Sequence, residues 1–200
     1  MAKDPTYTFS FATTALNVHE MVKVAQSIVE EREMDATNEL GNGKKASGQK
    51  KMQEYTSRIR TLTPDQLQLL ANGNLNSQRQ MAYLSICKSY GFIRDFVVEV
   101  LRDKVLLFDY QIEDSDYMSF WRNKTELYPR MDSFTESSKK KIRQVALRIL
   151  AEADIIDSTS NKMIKIQIID PTVEKAILDD NPNWLKVFLK SDLDIQSYQE

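Results

Sequence analysis

The sequence predicts a mainly α protein, a compact multi-helix body with a C-terminal winged-helix-like unit carrying one small β-hairpin. Three observations lead there. Apolar residues recur at helical spacing through most of the 200 residues, broken at Gly, Pro and Asn. The spacing is cleanest after Ser137, where Ile142, Val145, Ala146, Ile149, Leu150 and Ala153 make one stripe. Directly afterwards Ile155 and Ile156, the polar run from Asp157 to Lys162, and Met163 to Ile169 read as two strands and a loop. Ile164, Ile166 and Ile168 then face one way and Lys165 and Gln167 the other. Helix then hairpin is the order in a winged helix, where the helix enters the DNA major groove and the hairpin lies along phosphates.

From the N-terminus, Phe9 and Phe11 flank Ser10 at strand-like spacing and predict a short arm tucked against the body. Asn17, with Glu20 three residues on, predicts a capping box opening a helix to about Arg32. Asn38 to Gly48 reads as a mobile loop; its GNGKKASG does not satisfy GxxxxGK[ST]. Lys50 to Leu62 predicts a second basic helix, with Met52, Tyr55, Ile59 and Leu62 inward and Lys50, Lys51, Arg58 and Arg60 outward. Thr63, Pro64 and Gln66 are a strong helix start, and Asn72-Gly73-Asn74 ends that helix.

Asn76 to Tyr90 is apolar all round and predicts a buried helix stopped by Gly91, with a helix from Phe92 to Phe108 beside it. Asp114 or Ser115 caps a helix through Tyr117, Met118, Phe120 and Trp121. Asp170-Pro171 starts another after the hairpin, and Trp184, Leu185, Phe188 and Leu189 form an apolar side that must pack on something. The acidic tail from Ser191 to Glu200 is expected to fray. The elements divide into an N-terminal helical region, 1–90, and a winged-helix-like region with C-terminal helices, 91–200, as two domains or one continuous one.

Composition narrows the function classes. An apolar content of 42% and a mean hydropathy of -0.46 describe a globular chain, and the single Cys87 can form no intramolecular disulfide, which favours a cytoplasmic home. One Cys and one His leave no metal site to expect. The longest apolar stretch, Phe92 to Phe108, is interrupted by Arg94, Asp95, Glu99, Arg102, Asp103 and Lys104, so no membrane span is expected. No nucleotide loop, spaced carboxylate pair or activated nucleophile is visible, so neither catalytic residues, cofactor nor small-molecule substrate is expected; Cys87 reads as core and His19 as a polar helix face.

Charge points further. Residues 137–165 hold seven cations and three anions, a balance of +4 inside a chain of -2. Lys140, Gln144 and Arg148 lie opposite the apolar stripe, with Lys141 and Arg143 beside them and Lys139, Lys162 and Lys165 at the edges. Such a patch on an acidic protein is a footprint for a polyanion. Lys50, Lys51 and Arg58 extend the candidate surface.

Four runs then carry a family likeness: RIRTLTPDQLQLLANG, RQMAYLSICKSYGFIRDFVVEVLRDK, FWRNKTELYP and SSKKKIRQVALRILAEADII. Together they resemble the BrxA family of bacteriophage-exclusion (BREX) defence islands, over about Tyr7 to Ile156 and most densely from Arg79 to Lys104. The resemblance implies a small, mainly helical cytoplasmic protein that acts beside other defence components and binds DNA. By position Lys140, Lys141, Arg143 and Gln144 match the family's basic KKxRQ run. The hairpin and C-terminal helices match less clearly.

Two further function classes compete with a duplex-DNA-binding accessory protein. One is a protein-interaction adaptor docking other BREX components through Leu147, on the exposed face of the basic helix, and the Trp184 to Leu189 side. The other is an RNA-binding helical protein, because a basic helical surface recognises either backbone.

Overall fold

The computed structural model describes residues 7–198. After a 3-10 turn (Ser10–Thr13) come α1 (Val18–Val29), α2 (Ala36–Glu39), α3 (Lys45–Ile59), α4 (Pro64–Asn72), α5 (Leu75–Ser89), α6 (Gly91–Phe96) and a π turn (Val97–Leu101). Then follow α7 (Arg102–Leu106), α8 (Asp114–Leu127), a 3-10 turn (Pro129–Ser133), α9 (Glu136–Glu152), α10 (Pro171–Leu178), a 3-10 stretch (Pro182–Phe188) and α11 (Asp192–Gln196). The protein is mainly helical, and among the described residues no strand forms. The chain folds into two compact units, one from residues 16–89 and 168–184, the other from residues 7–15, 90–167 and 185–198.

In the α1–α5 unit, local signals decide some helix ends and distant partners decide others. Thr63 and Gln66 form the expected box: Thr63 Oγ1 accepts from the Gln66 N–H at 3.3 Å, and Gln66 Oε1 accepts from the Thr63 N–H at 3.2 Å. The box expected at Asn17 does not form. Asn17 sits in the left-handed region (φ 45°) with its amide donating to Tyr55 Oη, while Glu20 accepts from Lys51 Nζ at 2.7 Å and Tyr55 Oη at 2.6 Å. A charged and a buried donor from α3 outcompete one backbone N–H for that carboxylate. The loop expected at 38–48 is also replaced. α2 lies against the start of α3, and a Cβ on Gly48 would come within 2.0 Å of the Ala36 carbonyl oxygen, so only glycine admits this approach.

The α6–α9 unit is built on aromatic rings. Phe11, fully buried, stacks on Phe92 with centroids 6.2 Å apart, and Phe92 meets Phe120 and Trp121 edge-on at 5.2 and 5.6 Å. The N-terminal arm is thus tucked in as expected, but as a 3-10 turn rather than extended chain. Lys124, 5% exposed, fixes α8 to α6 and the π turn by donating to Asp95 at 2.8 Å and Glu99 at 2.6 Å, a paired buried charge.

The expected hairpin is reduced to two isolated antiparallel bridges, Gln111 with Met163 and Ile156 with Ile164. Ile164 is buried, but Ile166 and Ile168 are 74% and 84% exposed, so the alternation after Ile164 does not mark a core face. Its ladder stops where the Gln167 side chain turns back to donate to the Asp154 and Lys165 carbonyls. Two more apolar assignments change. Leu147 is buried, at 7% exposure, and so are Leu185, Phe188 and Leu189. The residues picked as adaptor contacts therefore belong largely to the core. The tail carries α11, capped by Ser191 and Asp194, through Gln196; residues 199–200 lie outside those described.

Candidate nucleic-acid interface

α9 is the element that carries the candidate residues. Thr135 caps it, Oγ1 accepting from the Ser138 N–H at 3.2 Å, and Asp154, left-handed at φ 64°, ends it. Ile142, Ala146, Ile149, Leu150 and Ala153 are buried as the stripe predicts, with Val145 half-buried at its margin. Lys140, Lys141, Gln144 and Arg148 are exposed.

The cations differ in what holds them. Lys140 and Lys141 have no carboxylate within 4.0 Å among the described residues. Lys139 pairs with Glu136 at 2.9 Å, Arg148 with Glu152 at 2.7 Å, and Lys165 with Asp154. Arg143 and Lys162 converge on one oxygen, Asp114 Oδ1, the lysine at 2.7 Å. Their hydrogen bonds, Lys162 first and then Arg143, hold the Asp114 carboxyl below the usual carboxylate range. Counting Asp114 and Glu136 with the three acids of the window lowers the local balance from +4 to +2. Exposed pairs of this kind are weak and exchangeable, so they temper the patch rather than abolish it.

The three candidate cations of α3 fare otherwise. Lys50 is exposed, Lys51 is tied to Glu20, and Arg58 is fully buried, donating to Glu54 at 3.1 Å with its guanidinium 5.6 Å from the Tyr55 ring centroid. Arg58 is therefore a core residue and no part of an outward surface. A single-face reading of α3 misplaces it because Glu54, one turn before, makes its burial tolerable.

Sequence reasoning did not single out the groove beside α9. Between α8 and α9 lies an open groove of about 620 Å³. Tyr117, Met118 and Trp121 line it with apolar surface, and Arg122, Lys139, Lys140 and Arg143 contribute cations. Arg143 reaches back over Tyr117, 5.3 Å from the ring centroid. Nothing in the local sequence shows that residues 26 positions apart meet. Among the described residues no group of three His, Cys, Asp or Glu could hold a metal ion, and no helix is long and apolar enough to cross a membrane.

The family model described as BrxA matches residues 5–181. The chain belongs to the BrxA family. Two curated relatives are both named BREX protein BrxA. That of Escherichia coli O9:H4 (strain HS) is 22% identical over 120 residues, 60% of this chain and 56% of the relative. That of Bacillus cereus (strain H3081.97) is 24% identical over 122 residues, 60% of this chain and 61% of the relative. The matched region thus spans less than two thirds of either relative. The fold is shared with an uncharacterized protein from Magnetospirillum magneticum, whose crystal structure superposes with a TM-score of 0.78 at 18% identity, covering 93% of this chain and 99% of that one. The BrxA match takes in all of α1 to α10, including the basic helix and the groove beside it.

Proposed function

We propose that this BrxA-family chain is a non-enzymatic DNA-binding accessory protein of a BREX phage-defence system, acting in the cytoplasm beside other BREX components. The observation that carries the reading is the exposed face of α9, where Lys140 and Lys141 stand without a carboxylate partner. In this reading α9 faces duplex DNA as the groove helix of a reduced winged helix, and the 157–165 segment, with Lys162 and Lys165, takes the place of the wing. Phosphate contacts supply most of the affinity, and only Gln144 and Arg148 stand where they can reach base edges, so sequence preference is weak.

The test is a polarisation titration of a labelled duplex at two salt concentrations. Binding should weaken by well over tenfold between about 50 and 200 mM salt. Binding indifferent to salt, or none at the lower concentration, contradicts it.

One observation favours the adaptor as a second reading. Leu106, Leu107 and Phe108 at the end of α7 are 43%, 79% and 83% exposed, and Phe108 is held at φ 60°, a backbone conformation costly for a bulky residue. Replacing Leu107 and Phe108 by Ser should then abolish capture of BREX components while leaving duplex binding intact.

A further inference from the structure

We propose that the groove between α8 and α9 binds a nucleoside monophosphate unit bearing an exocyclic amino group, free or as an unpaired nucleotide of a single strand. Its volume, about 620 Å³, is in the range of small-molecule sites. Its two ends differ in charge, with Arg122 and the Lys139–Glu136 pair between them. α8 and α9 are joined by the short 129–133 turn, and Arg143 lies over Tyr117, so the groove runs from a Tyr117–Arg143 end to a Glu126–Asp132 end at the turn. Tyr117 and Glu126 are nine helical steps apart, about 14 Å.

The basic end offers unused donors. Tyr117 is 5% exposed, and its hydroxyl is buried without a hydrogen-bond partner among the described residues; Arg143 Nε is likewise buried and unpartnered. Two such donors on residues that line the groove call for an oxygen-rich acceptor, and Lys140, about one turn away along α9, adds an unpaired positive charge. Trp121, and the 60% exposed Met118 next to Tyr117, present an apolar face on which a base can stack. At the far end Glu126 and Asp132 repel phosphate and accept from amino groups. An anion, an aromatic plane and an exocyclic amino group, in that order, describe dAMP, dCMP or dGMP and disfavour dTMP, whose one base donor is the ring N3–H.

This inference shares Lys140 and Arg143 with the duplex-binding reading but requires no duplex. The full chain carries two tryptophans, so Trp184→Phe leaves Trp121 as the reporter. Its emission is followed on titration with dAMP, dCMP, dTMP, a single-stranded 12-mer of mixed sequence and an abasic strand of equal length. Saturable quenching by dAMP and dCMP, about tenfold weaker with dTMP, is expected; Met118→Glu, at an exposed position, should weaken it at least tenfold with duplex affinity unchanged. Quenching by the 12-mer alone keeps the site and assigns the nucleotide to a strand. No saturable quenching by dAMP, dCMP or the 12-mer up to about 1 mM, dTMP binding as well as dAMP, or the abasic strand matching the base-bearing one each overturns the proposal. Loss of duplex binding with quenching retained removes only the duplex reading.

Discussion

α3 and α9 look alike in sequence, each an amphipathic helix with a basic outer face, but the structure ties α3's Arg58 and Lys51 into the fold and leaves Lys45 and Lys50 exposed, whereas on α9 it leaves the adjacent Lys140 and Lys141 exposed. On α3 Arg58 is inside, held by Glu54 and Tyr55, and Lys51 is spent on Glu20. On α9 Lys140 and Lys141 are left to solvent. The difference lies in the acids within reach: α3 has Glu54 one turn away and Glu20 on α1, whereas the acids nearest α9 stand at its first turn, its last turn and across at Asp114. A cation tied to the fold stabilises the protein, and an untied one is available to a partner.

That contrast can be broken by removing charges one at a time. Arg58→Ala should have the largest effect, a loss of about 3 kcal/mol or more, because Glu54 loses its buried partner and a cavity opens; chemical denaturation measures it, and a change below about 1 kcal/mol would mean that Arg58 is not core. Asp170→Ala should cost about 1 kcal/mol as the loss of an N-cap. Hydrogen bonds from Thr172 first, then Asn74, hold the Asp170 carboxyl at about 2, below its ordinary 3.8. A depressed value stabilises the fold above the ordinary one, so this contribution should be present near pH 5 and lost as pH falls from about 4 through about 2. Comparing the acid unfolding of wild type and Asp170→Ala checks the sign: the two curves should converge in that window.

The smallest effect should come from Asp114→Asn. In the duplex-binding reading the carboxylate that Arg143 and Lys162 share competes with phosphate for them, so neutralising it should tighten duplex binding about threefold with little change in stability. Weaker binding would mean that Asp114 positions those cations rather than competing for them.

What was legible in the sequence was whatever local spacing controls. The Thr63–Gln66 box, the Asp170-Pro171 start and the buried stripe of α9 stand where the residues placed them. What was not legible depended on meetings across the chain. Tyr55 and Lys51 take Glu20 from the expected box at Asn17, Gly48 lets α2 and α3 approach, and Asp114 collects two cations 29 and 48 residues away. The groove beside α9 was missed for the same reason, since the residues that make it come from two helices whose pairing no periodicity encodes. Ile166 and Ile168 show the opposite error, an alternation with no surface to bury it.

The central claim is that the unpaired lysines of α9 touch phosphate. It is tested most directly by the slope of log Kobs against log salt for duplex DNA, measured for wild type, Lys50→Glu and the pair Lys140→Glu with Lys141→Glu. The account predicts that the α9 pair lowers the slope by about 2, one phosphate contact for each lysine, with at least a tenfold loss of affinity at low salt, while Lys50→Glu leaves both unchanged. A slope that stays at the wild-type value in the α9 pair would contradict it.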